Sequence, residues 1–219
     1  RQTLGLDEFQ SSFLWGAVAV GIGLGSVAAG YLSGGKIEYG LIPLGSIGIT
    51  AFAALASRSG LSVASVATNL ALLGVFAGFF AVPTNALIQH RPLPDRKGSV
   101  IAAANLLSFV GIFLAAGAYY LMAWLGLTPP QIFLASAVLT LGATIYVLVL
   151  LPDSLIRLLL WLLTHSVYRI RVEGRDNIPE RGGALFVSNH MSFVDALLLI
   201  AATDRPIRFI MFKGIYDLP

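Results

Sequence analysis

The chain has 219 residues, of which 57% are apolar and 11% charged, with no cysteine and a formal net charge of +3. A mean hydropathy of +0.82 lies outside the balance of a soluble domain and describes an integral membrane protein. Disulfide frameworks and thiolate metal sites are excluded, the three histidines (His90, His165, His190) are too scattered to suggest a metal cluster, and the small charge makes no case for nucleic acid. The chain starts at Arg1 without an initiator methionine and stops at Pro219 just after a new pattern begins, so it reads as a piece of a longer protein.

Crossing a hydrocarbon core of about 30 Å takes about 20 apolar residues in a helix. Five stretches meet that requirement, roughly 11–33, 39–57, 61–89, 98–126 and 130–151. Their connections are short and carry turn or charge signals: Gly34-Gly35-Lys36-Ile37-Glu38, Arg58-Ser59-Gly60, His90-Arg91-Pro92-Leu93-Pro94-Asp95-Arg96-Lys97 and Leu127-Thr128-Pro129. Such loops make successive helices antiparallel neighbours. Lys36, Arg91, Arg96 and Lys97 fall on one side with the basic tail, while Arg1 and Arg58 stand alone on the other. Because cytoplasmic loops retain Lys and Arg, five spans put the N-terminal end outside and the tail in the cytoplasm.

In the first span Gly16, Gly21, Gly25 and Gly30 include a small-xxx-small spacing that lets helix backbones approach closely. Asn69, Thr84, Asn85, Gln89, Asn105, Ser108 and Thr144 are polar residues within spans, and Pro83 is positioned to open the third helix beside Thr84 and Asn85. Asn69, Asn85 and Asn105 are the candidates for a transport path, the competing reading being hydrogen bonds that hold the bundle together. With Gly30-Tyr31-Leu32-Ser33-Gly34-Gly35-Lys36 as a degenerate glycine and basic loop, this region resembles the C-terminal half of a major facilitator transporter. The resemblance implies that the first helix of that six-helix half is missing. No acidic residue lies inside the five spans, so no coupling carboxylate is legible.

From Asp153 to Val167 a narrow polar stripe of Ser154, Arg157, Thr164 and His165 runs along a leucine-rich segment, the pattern of a helix lying at the membrane interface. Tyr168-Arg169-Ile170-Arg171-Val172-Glu173 alternates as a half-buried strand does. After a turn-rich stretch, 184–188 reads as a buried strand, 192–202 as a helix and 207–212 as another strand, which begins an α/β domain. The domain reading is a membrane bundle over 1–152, an interfacial helix over 153–167 and a truncated α/β domain over 168–219.

His190 and Asp195 lie at the strand-to-helix turn, in Asn189-His190-Met191-Ser192-Phe193-Val194-Asp195. On one regular helix they would be about 140° apart in azimuth, so they meet only if His190 precedes the helix and folds back over its first turn. Ser192 is then the N-cap and Asp195 the third helical residue. In that arrangement the carboxylate orients the imidazole, whose other nitrogen is free to take a proton from a hydroxyl. A second reading also fits: Ser192 to Asp195 matches a capping box, in which the aspartate only satisfies a backbone donor.

The histidine, four residues and aspartate, together with Glu173-Gly174-Arg175-Asp176-Asn177-Ile178-Pro179 upstream, look like the opening of the glycerophospholipid acyltransferase family. That resemblance implies His190 as general base and Asp195 as its orienting partner. It also places Asn189 and Ser192 beside the substrate and Lys213 near its phosphate, with no cofactor beyond an acyl thioester on acyl-carrier protein or coenzyme A. The family's later blocks are not in these residues, so the activity is expected of the parent protein.

A facilitator half joined to such a domain resembles a bacterial fusion of a lysophospholipid transporter with a 2-acylglycerophosphoethanolamine acyltransferase. The function it implies is lysophospholipid transport and reacylation at an inner membrane. The partners implied are a lysophospholipid, an acyl donor and membrane lipid. Two alternatives stand beside it: a transporter of another small solute with a non-catalytic or regulatory tail, and a membrane anchor for a phosphatidate-forming enzyme.

Overall fold

The computed structural model describes residues 8–163, 166, 171–174, 177–179, 182–189, 191–192, 194–203, 205 and 207–210. Its helices are α1 (Glu8–Ser33), α2 (Leu41–Ala56), α3 (Val63–His90), α4 (Lys97–Trp124), α5 (Pro129–Leu150), α6 (Pro152–Leu163) and α7 (Val194–Ala202). The chain divides into two compact units, Arg1–Pro152 and Asp153–Pro219.

In the first unit Ser11–Ser33, Val63–His90, Lys97–Trp124 and Pro129–Leu150 are long and apolar enough to cross a membrane, so the protein is multi-pass. The second of the five expected spans is shorter. With 16 residues, α2 is about 24 Å long against a core of about 30 Å. Its limits are local: Gly40 precedes it, Pro43 occupies the first turn, where a missing N–H costs nothing, and Gly60 at φ 77° closes the turn that follows.

Close approach of backbones fixes how these helices pack. A Cβ built on Gly21 would lie 2.0 Å from the Ala71 carbonyl oxygen, and one on Gly25 would lie 2.1 Å from that of Val75. The fit is mutual, since a Cβ on Gly74 would meet the Val18 oxygen at 2.5 Å and one on Gly78 the Ser26 nitrogen at 2.5 Å. Residue numbers rise together along both helices, so α1 and α3 are parallel. The chain must therefore return between them, and α2 makes that pass. Gly45 lies against Phe76 and Phe80, and Gly48 against the Phe76 ring, an antiparallel order. Phe76 in turn stacks on Phe52 and meets Phe79 edge-on, both with centroids 5.6 Å apart.

Between α2 and α5 the contact is polar as well as apolar. The buried Thr144 hydroxyl donates to the Ser46 carbonyl at 3.0 Å and lies 2.9 Å from Thr50 Oγ1. For Thr144, interhelical hydrogen bonding is thus what the structure displays. Pro83, by contrast, does not open α3, which runs on to His90. Thr84 Oγ1 donates back to the Phe80 carbonyl at 2.7 Å and Asn85 Nδ2 to that of Ala81 at 2.8 Å, so nearby carbonyls stay satisfied. α4 lies against α3 with no buried residue of its own.

In the second unit α6 carries two apolar faces. Leu158 is buried, while Ile156, Leu159 and Leu163 form an exposed stripe at helical spacing. Thr164, His165, Val167 and the first part of the 168–173 strand lie outside the described residues. Among the described residues no strand forms, including at 171–173, 184–188 and 207–210. The α/β expectation is therefore met only by its helix, which starts at Val194 rather than Ser192. Alternation and apolar runs mark strand-forming side chains, but a strand also needs a neighbouring backbone to complete its ladder. Leu185 and Val187 are 82% and 86% exposed, with no ladder beside them among the described residues.

Candidate active site

The start of α7 is organised by one carboxylate. Asp195 Oδ2 accepts the Met191 amide at 2.6 Å and the Ser192 amide at 2.8 Å, while the Asp195 amide donates to the Ser192 carbonyl at 3.0 Å. Ser192 Oγ accepts the Val194 amide at 3.3 Å. Amide donors at a helix N-terminus lack intrahelical partners, and a negative charge there is favoured by the helix dipole and by charge-assisted hydrogen bonds. The segment ahead of α7 is thereby folded back over the first turn.

Of the two readings that the spacing left as rivals, the capping one is what this geometry displays. Asp195 satisfies backbone donors, as a capping residue does, and that same cap anchors residues 191 and 192, immediately after His190. Both Asn189 and Ser192 are exposed, and Asp195 is half-buried. His190 and Lys213 lie outside the described residues. No group of three or more His, Cys, Asp or Glu is placed to hold a metal ion among the described residues.

A second polar anchor had no signal in the sequence beyond a turn at Asp204-Arg205-Pro206. The Arg205 guanidinium donates from Nη1 to the Pro179 carbonyl and from Nη2 to the Gly182 carbonyl. Its own amide donates to Thr203 Oγ1 at 3.2 Å. An arginine among turn formers discloses a donor fork but not which carbonyls it will span.

In the membrane unit the candidate transport residues are spread out. Asn69 and Asn85 are 16 residues apart on α3, which is about 24 Å along the axis and about 160° around it. Asn69 is half-buried, whereas Asn85 and Asn105 are exposed. None of the three lines the apolar groove of about 500 Å³ between the Phe13–Val20 part of α1 and the Ala67–Ala71 part of α3. Gly74 and Gly78, the partners of the α1 glycines, carried the same four-residue spacing and are the sequence signal that was missed.

An acyltransferase family model matches residues 169–219. The lysophospholipid transporter LplT of Klebsiella pneumoniae strain 342 is 39% identical over 120 residues, which is 54% of this chain and 30% of that protein. LplT of Klebsiella pneumoniae subsp. pneumoniae strain ATCC 700721 / MGH 78578 matches to the same extent. The aligned stretch thus covers less than a third of these relatives. No solved structure matches the chain. A stretch of 120 residues cannot fit within 169–219 and lies largely ahead of it. The two matches together fit a fusion that joins a stretch similar to a lysophospholipid transporter to a segment of the acyltransferase family.

Proposed function

We propose that this chain is part of a protein that brings a lysophospholipid across a bacterial inner membrane and reacylates it on the cytoplasmic side. The observation that carries the proposal is the Asp195 cap, which anchors the Met191 and Ser192 amides directly after His190 within the segment matching the acyltransferase family. In the reaction, His190 takes the proton of the free hydroxyl on the lysophospholipid or lysophosphatidate. That oxygen attacks the thioester carbonyl, the C–S bond breaks, and the proton passes from the imidazolium to the leaving thiolate of acyl-carrier protein or coenzyme A. In this reading Asn189 and Ser192 serve as substrate-binding residues and Lys213 serves the phosphate.

The parallel packing of α1 and α3 supports the orientation. Both helices end on one side, where Lys36, Arg91, Arg96 and Lys97 follow them, and a positive excess of this kind favours the cytoplasm. The exposed apolar stripe of α6 supports an interfacial position for that helix, which only Leu151 separates from α5 along the chain.

The test uses the full-length protein in proteoliposomes with labelled lysophosphatidylethanolamine and an acyl thioester. Diacyl lipid forms with the wild type, and His190→Ala lowers its formation by about 100-fold or more while leaving uptake intact. Undiminished acyl transfer in that variant overturns the assignment.

A further inference from the structure

We propose that Arg205 is a positioning residue for acyl transfer, clamping the turn that feeds the chain into the catalytic block. The inference rests on the acyl-transfer reading above. Residues 183–189 run from that turn to the block as an exposed segment in which no hydrogen bond and no strand is found among the described residues. What holds such a segment is its ends. At the far end Asp195 holds the amides of Met191 and Ser192. At the near end the two terminal nitrogens of Arg205 hold the carbonyls of Pro179 and Gly182.

The chemistry of the clamp is specific to arginine. A planar fork of donors spans two carbonyls at once, whereas an ammonium group is a point charge that meets them one at a time. The fork is also fixed to the block through the chain itself, because Thr203 and Arg205 directly follow α7, whose first turn carries Asp195. Both anchors of the segment therefore belong to one short stretch of chain, 195–205. Gly182 has φ 84°, a left-handed conformation that suits glycine at the clamped turn. With the clamp removed, the segment ahead of His190 is tied at one end only, and displacement of a base by about 1 Å costs about 100-fold in rate.

The test is made in the full-length membrane protein. Arg205→Ala lowers kcat for diacyl-lipid formation by about 10- to 100-fold, with KM for both substrates within about twofold of wild type. Millimolar guanidinium restores part of that rate and sodium chloride at equal ionic strength does not. Arg205→Lys stays low, for want of the fork. A kcat within twofold of wild type in Arg205→Ala, or no rescue by guanidinium, overturns the proposal. A nitroxide spin label at position 185, where Leu185 is 82% exposed, gives a second reading that needs no activity: its mobility rises in Arg205→Ala while the amides of α7 keep their protection from hydrogen exchange. Unchanged label mobility, or loss of protection throughout α7, overturns the clamp. If wild type itself makes no diacyl lipid, the acyl-transfer reading fails, and label mobility alone decides whether Arg205 clamps the turn.

Discussion

In the membrane unit α1 and α3 meet backbone to backbone at Gly21, Gly25, Gly74 and Gly78, whereas in the tail the fixed points are Asp195 and Arg205, charged side chains that grip backbone groups. The contrast follows from the surroundings. Lipid tails are as apolar as leucine, so helices in a bilayer gain nothing by exchanging lipid for apolar side chains, and close fit decides which faces join. Beside water a short, exposed chain has little apolar surface to bury, and charge-assisted hydrogen bonds to backbone groups take over.

Five substitutions at four positions break or sharpen this comparison. Gly21→Leu is expected to have the largest effect, because any side chain there enters the Ala71 carbonyl; folded yield in detergent and lysolipid uptake should both be lost. Gly30→Leu, on the same helix with nothing within 4 Å of its Cβ, should retain both, and equal damage at the two sites would show that backbone contact is not what α1 needs. In the tail, Asp195→Ala should lower acyl transfer by about 10²- to 10⁴-fold and destabilise α7 by about 1 kcal/mol, with uptake unchanged. Asp195→Asn separates those roles, since its side-chain carbonyl still accepts amides: exchange protection at α7 should persist while acyl transfer falls. Smallest is Thr144→Val, which removes a hydrogen bond to Ser46 worth about 0.6 kcal/mol. It should lower thermal stability slightly in detergent, and a large loss would mean that polar contacts share in holding the bundle.

How far these features were legible depended on whether their causes are local. Long apolar runs and the glycines of α1 were visible in order along the chain, because span length and small-residue spacing are properties of one helix. The shortness of α2 was legible only in hindsight from Gly40 and Pro43, since the stretch between Glu38 and Arg58 is free of charge and reads as one span. That Gly21 and Gly25 would face Gly74 and Gly78 required knowing that α1 and α3 run parallel. In the tail the helix and its aspartate were placed to within two residues, but strands were expected from alternation and apolar runs, and none is found among the described residues. The Arg205 contacts reach back 26 and 23 residues to Pro179 and Gly182. No local pattern encodes such a separation.

The glycine seam also bears on motion. From Val18 to Ser26 on one helix and Ala71 to Gly78 on the other, neither α1 nor α3 can turn about its axis or slide past its neighbour without driving side chains into carbonyl groups. In the proposed transport function the pair moves as a single rigid body, and any rocking has its play elsewhere. Among the four long spans α4 alone buries no residue, so it has no seam of this kind with its neighbours.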